Sequence, residues 1–175
     1  MATKRVLIIV AHQGYQQVEY SVPKKLLEQA GVTVVTASNG LGEAVAKDGS
    51  AAPVDVLLED VDSNEYDGCI FVGGPGALEH LDNQTSYELI QKMSEKKKMI
   101  GAICIATRIL AKAGVLHKRQ ATGWDGDSQL AELYREHGVY YAKQDVVVDD
   151  YIITATGPSA AREFAERVIA ALHID

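Results

Sequence analysis

Met99-Ile100-Gly101-Ala102-Ile103-Cys104-Ile105-Ala106-Thr107-Arg108-Ile109-Leu110 decides the fold of this chain. Its first half is a short apolar run of the kind a buried strand needs. Its second half carries Ile105, Ile109, Leu110 and Ala113 on a helical period and stops at Gly114. Cys104 stands where strand becomes helix, flanked by the small residues Gly101, Ala102 and Ala106, which allow a sharp turn. A thiol so placed leaves the carboxyl edge of a sheet and faces the positive end of a helix, and both effects favour the thiolate. This is the pattern of a nucleophile elbow with cysteine in place of serine. The competing explanation is a buried core cysteine, the commoner fate of cysteine in an apolar run.

Alternating strands and helices extend outward from this turn. Upstream, Val6 to Val10 reads as a buried parallel strand, followed by the loop Ala11-His12-Gln13-Gly14. A helix is expected from Tyr15 to Ala30, with Pro23 kinking its early turns and Gly31 as its stop. Val32 to Thr36 follows as a second strand, so the opening is β-α-β with a right-handed crossover. Turn signals at Asn39-Gly40 and Asp48-Gly49 bracket Glu43 to Ala46 and Val54 to Leu58, read as a small antiparallel excursion. Cys69 to Val72 is another buried strand, broken by Gly73-Gly74-Pro75-Gly76. Helices are expected over Ala77 to Leu81 and Ser86 to Lys96.

Downstream of Cys104, the pattern predicts a short strand over Ala121 to Gly123 and a helix over Ser128 to His137. A hairpin is expected from Val146–Val148 and Ile152–Ala155, and a last helix from Ser159 to Leu172. The whole is a doubly wound α/β fold, a mostly parallel sheet flanked by helices. One domain spanning 1–175 is expected, since 175 residues suffice for an adequate core.

Composition narrows the function. Apolar residues make up 47% and charged residues 23%, as in ordinary globular proteins. A net charge of −7 argues against a nucleic-acid partner. Two cysteines in no disulfide-rich pattern fit a reducing, cytoplasmic location. The opening apolar run is too short for a signal peptide or a membrane span, so no membrane is expected. The five histidines, His12, His80, His117, His137 and His173, show no metal-ligand spacing, so neither metal nor other cofactor is called for.

In doubly wound folds the site lies outside the carboxyl ends of the strands. That rule gathers Ala11 to Gly14, Gly73 to Gly76, Cys104-Ile105 and Gly123-Trp124-Asp125 around the thiol. Glu19, one turn into the first helix, is either a solvated helix-start acid or a carboxyl reaching Cys104. Gly73-Gly74 is either a tight turn or a source of N–H donors that, with the amide of Ile105, make an oxyanion hole. His12 is the best histidine candidate for a general base, against the plain alternative of a loop histidine without a role. Trp124, the only tryptophan, walls the pocket or caps the core, and Asp125 shares its loop. Cys69 reads as strand core.

Taken in order, several of these markers resemble the ThiJ/PfpI superfamily, on the flavodoxin-like, class I glutamine amidotransferase-like fold. They are Gly14 with Val18-Glu19, Pro23, Tyr66-Asp67, Gly73-Gly74-Pro75-Gly76, Ile100-Gly101-Ala102-Ile103-Cys104 and Thr156-Gly157-Pro158. The resemblance implies Cys104 as the nucleophile, Glu19 as its protonated partner, and backbone donors from Gly74 and Ile105. It also implies a homodimer and chemistry on a small-molecule substrate, as a glyoxalase or deglycase of reactive carbonyls or as a protease-like hydrolase. Two departures stand out. Protease-like members carry histidine directly after the cysteine, where this chain has Ile105. Deglycase-like members carry histidine at the end of the following strand, where this chain has Gly123. The missing histidines leave open a non-catalytic alternative, a stress protein or chaperone that senses oxidants through Cys104.

Overall fold

The computed structural model describes residues 2–173. In chain order its elements are β1 Arg5–Val10, β2 Gln13–Tyr15, α1 Gln17–Gln29, β3 Thr33–Ser38, β4 Gly42–Ala46, β5 Ala51–Val54, β6 Val56–Leu57, β7 Gly68–Phe71, α2 Ala77–His80, α3 Gln84–Glu95, β8 Met99–Ile103, α4 Thr107–Lys112, β9 Gln120–Ala121, α5 Leu130–Glu136, β10 Tyr140–Tyr141, β11 Val146–Asp149, β12 Ile152–Ala155 and α6 Ala161–Ala171.

Seven strands form one sheet in the order β11-β12-β8-β7-β1-β3-β6, parallel throughout except for the β11–β12 hairpin. The central strands are continuous apolar runs because both of their faces are covered. Leu7 and Ile9 of β1 face one core with Phe71, Ile90, Ile100 and Leu110. Val6, Ile8 and Val10 of the same strand face the other, with Leu27, Ile70, Ile103 and Phe164. The period of two along one strand therefore divides the core into its two layers.

Local chemistry explains the element ends. The Gln16 side chain accepts from the Val18 N–H and starts α1, two residues later than the periodicity predicts. Tyr15 is instead drawn into β2, which pairs with β4. Pro23 lies inside α1 and is buried. The antiparallel excursion is real but shifted: β4 pairs with Ala51–Val54, while Val56–Leu57 joins the edge of the main sheet beside β3. Ala121 lies in a separate two-stranded ribbon with β10, a strand that the sequence pattern does not reveal. No helix among the described residues is long and apolar enough to cross a membrane.

β1 is flanked by β3 on one side and β7 on the other, so the winding reverses between β1 and β7. The carboxyl ends of β1, β7, β8 and β12 all open on that switch point, where doubly wound sheets bind their ligands.

Candidate active site

Cys104 begins a single 3₁₀ turn between β8 and α4, with φ at +63°. This left-handed conformation is sparsely populated for a residue with a β carbon and costs on the order of 1–3 kcal/mol, so the surroundings must hold it. The Trp124 N–H and the Thr107 hydroxyl both donate to the Cys104 carbonyl, at 3.2 and 3.1 Å. The thiol is partly exposed, whereas Cys69, the other free cysteine, is fully buried in β7.

Glu19 comes to the thiol from α1. The Gln16 N–H donates to the Gly73 carbonyl at 2.9 Å, and the Gly73 N–H donates to Glu19 Oε1 at 3.0 Å. This reciprocal pair ties the start of α1 to the end of β7. A β carbon at position 73 would lie 2.6 Å from Glu19 Oε1 and 2.7 Å from Cys104 Cβ, so only glycine lets the three segments close up. Glu19 has no exposed surface, and its Oε2 has no partner elsewhere in the fold. The carboxyl and the backbone N–H groups of Ile105 and Gly74 lie beside the thiol, close enough to shift its acidity.

Electrostatics at the pair add burial to the two effects, sheet edge and helix end, that favour the thiolate. α4 has only six residues, and a helix terminus contributes about 0.3–1 kcal/mol. Burial weighs more. It pushes Glu19 up from 4.5 to about 7, against the hydrogen bonds from Cys104 and Gly73, a change of about 3 kcal/mol. Burial and then the Glu19 charge push Cys104 upward as well, while the donors Ile105 and Gly74 pull it down. The two acids therefore titrate as a unit. Below about pH 7 the pair holds two protons. Above that it holds one, which the raised thiol keeps.

A cavity of about 360 Å³ opens on this pair, lined by Gln16, Glu19, Lys47, Gly74, Pro75, Cys104, Ile105, Trp124 and Pro158. The structure thus brings together Cys104, Glu19, Gly74, Ile105 and Trp124. It does not bring in His12 or Asp125. His12 Nε2 bonds to the Leu41 carbonyl at 2.8 Å, and the His12 N–H donates to Asn39 Oδ1, which holds the ring on the 39–41 turn outside the cavity lining. Asp125 Oδ1 accepts from the Leu130 N–H and so organises the start of α5. Among the described residues no histidine lines the cavity. At position 123 a β carbon would lie 2.2 Å from Thr107 Oγ1, so the place of the deglycase-type histidine is closed as well as empty. Lys47, which sequence reasoning missed, arrives through the β4–β5 hairpin: its N–H donates to the Tyr15 carbonyl at 2.8 Å. Nothing local in Ala46-Lys47-Asp48-Gly49 announces that placement. Among the described residues no cluster of three or more His, Cys, Asp or Glu side chains is suited to a metal.

A doubly wound sheet with a strained elbow thiol beside a buried carboxyl defines a narrow class of α/β proteins. Residues 4–171 match the DJ-1/PfpI family, and the chain belongs to it. A glutathione-independent glyoxalase of Caenorhabditis elegans is 28% identical, over 98% of this chain and 90% of that protein. A deglycase of Pyrococcus abyssi is 31% identical, over 88% of this chain and 90% of its own length. Among solved structures, a ThiJ/PfpI domain protein from Brachyspira murdochii superposes with a TM-score of 0.92 at 29% identity, covering 98% of both chains.

Proposed function

We propose that this protein is a cysteine-dependent enzyme acting on small reactive carbonyls, of the glyoxalase or deglycase type. The observation that carries the proposal is the Cys104–Glu19 pair, which keeps one proton above neutral pH inside a cavity walled by Ile105, Pro75 and Trp124. With an α-oxoaldehyde, the sulfur attacks the aldehyde carbon and forms a C–S bond. The Glu19 carboxylate takes the thiol proton as the sulfur attacks and hands it to the new alkoxide, giving a hemithioacetal. The N–H groups of Gly74 and Ile105, beside the sulfur, stabilise the oxyanion on the way. The Glu19 carboxylate then removes the C1 proton and returns it to C2. This leaves a thioester, which water cleaves to a 2-hydroxy acid and the free thiol. The overall change is addition of one water with no external oxidant. A hydrolase acting on an amide is the variant of this chemistry that the family's protease-like members suggest. A homodimer in the cytoplasm belongs to the same proposal, and sedimentation of the purified chain reads the oligomeric state.

The test is turnover of methylglyoxal to its 2-hydroxy acid by the wild type and by Cys104→Ser. Activity should vanish in the variant, and full activity there overturns the assignment.

One observation favours a second reading. No histidine serves the cavity, and the buried Glu19 Oε2 is free to bond an oxygen added to the sulfur. A non-catalytic stress protein or chaperone would use that arrangement to hold a sulfinic acid. Mild peroxide should then add two oxygens at Cys104 and spare Cys69. Equal oxidation of both cysteines would count against it.

A further inference from the structure

Arg108 is a cation that the chemistry above does not use, although it lies one helical turn beyond Cys104. It is 4% exposed. Its guanidinium makes a two-toothed bond to Asp127, Nη2 to Oδ1 at 2.7 Å and Nη1 to Oδ2 at 3.0 Å. Nη2 also donates to the Trp124 carbonyl at 3.2 Å. The same guanidinium stands 5.6 Å from the centre of the Trp124 ring, within cation–π range. Three contacts from one side chain thus hold the loop that carries the only tryptophan.

The loop is fixed from its other sides too. The Trp124 N–H donates to the Cys104 carbonyl, and the Gln129 and Leu130 N–H groups donate to Asp127 and Asp125. The indole lies against the backbone at Gly126, where a β carbon would come within 2.4 Å of Cζ2. Yet Trp124 is 37% exposed and lines the Cys104 cavity. A large apolar side chain pinned from behind and bare in front is a wall. The Asp127 carboxyl is held below the usual range by its bond to Arg108, which agrees with a standing ion pair. Arg is suited to this task and Lys is not, because a planar fork satisfies Asp127 and the carbonyl while presenting a face to the ring.

We infer that Arg108 is a positioning residue that clamps Trp124 as a fixed aromatic wall beside the reacting thiol, and that this wall selects electrophiles whose non-reacting end is flat and apolar. This rests on Cys104 being the reacting thiol, as proposed above, and it names the substrate class of that site: carbonyl compounds with an aromatic or planar apolar substituent, favoured over those with only a methyl group. Ile105, Pro75 and Pro158 complete an apolar lining for that substituent.

The experiment uses two alkylating agents on the native protein, iodoacetamide and its N-phenyl analogue. In each, sulfur displaces iodide and forms one C–S bond, and peptide mass spectrometry reads the rate at Cys104. Trp124 fluorescence is recorded in parallel, free of interference because no other tryptophan exists. The variants are Arg108→Gln, Arg108→Lys and Asp127→Asn, the last releasing the clamp from the partly exposed side.

Relative to the same pair of reagents on a small free thiol, the wild type should prefer the phenyl reagent by about fivefold, the worth of one aromatic contact. Arg108→Gln and Asp127→Asn should abolish that preference, shift the emission to the red and increase quenching by acrylamide. Arg108→Lys should restore only part of each. Unchanged fluorescence and preference in the variants overturn the inference. So does a freed indole with the preference intact, or an equal slowing of both reagents with fluorescence unaltered. If Cys104 resists both reagents in the wild type, the reading of Cys104 as a reacting thiol falls, and the selectivity falls with it. If Cys104 reacts readily but without preference, only the selectivity falls.

Discussion

Replacing Glu19 with glutamine should make the protein more stable at alkaline pH and leave it nearly unchanged in acid. Glu19 has no exposed surface, and burial lifts its carboxyl from 4.5 to about 7. The unfolded chain therefore ionises first. The protonated carboxyl contributes its stability in full below about pH 4.5. That contribution is lost progressively as pH rises to about 7 and is absent above it. The difference corresponds to about 3 kcal/mol. Glutamine avoids this loss at every pH. It can keep the bond from the Gly73 N–H to its oxygen and turn its amide toward the sulfur, so the substitution itself removes little. Thermal unfolding of both proteins at about pH 5 and about pH 8.5 reads most of that span, and at the alkaline end Glu19→Gln should melt about 6–12 °C higher. A difference between the two proteins that stays constant across pH would refute the claim that burial, rather than some other contact, sets the acidity of Glu19.

Three further outcomes follow from the same geometry. Alkylation of native Cys104 by iodoacetamide should rise with a midpoint above that of a free thiol, because burial and the Glu19 charge both push the thiol up. In Glu19→Gln the midpoint should move down, because the charge that helps to hold the thiol up is gone, with Cys69 unreactive in both; a profile that ignores the substitution removes Glu19 from the site. Gly73→Ala should cost about 1–3 kcal/mol by overpacking and should slow Cys104 alkylation, since its methyl group meets Glu19 Oε1, Cys104 Cβ and the Ile103 carbonyl together; chemical denaturation with the same alkylation assay tests both. Gly123→His, meant to restore the deglycase-type base, should destabilise the fold and fail to raise methylglyoxal turnover, because Thr107 Oγ1 occupies its path; a stable variant with higher turnover would show that the space exists.

Much of this molecule was legible in the chain itself. Continuous β-rich apolar runs at Val6–Val10 and Met99–Ile103 point to strands covered on both faces, and the helices between them to a parallel, doubly wound sheet. Small residues around Cys104 point to the elbow, and the rule that ligands gather at the carboxyl ends of strands draws Gly74, Ile105 and Trp124 toward it. These features were readable because each depends on a few consecutive residues whose pattern admits one backbone.

What the chain did not announce depends on distances between segments far apart in sequence. His12 and Lys47 both belong to loops near the sheet edge, yet the 39–41 turn captures His12 while the β4–β5 hairpin delivers Lys47 to the cavity. Tyr140–Tyr141 is too short to show a strand period and exists as β10 only through its pairing with Gln120–Ala121. The acidity of the thiol depends on such distances too. A helix end beside cysteine is visible in sequence, but the burial that outweighs it requires Glu19 to be sealed beneath Gly73 from fifty-four residues away. Arg108 reads locally as one more charged helix residue, and only the folded loop turns it toward Asp127 and Trp124. Local pattern determines which backbone forms. Desolvation and side-chain reach, which set the chemistry of the site, are properties of the packed whole.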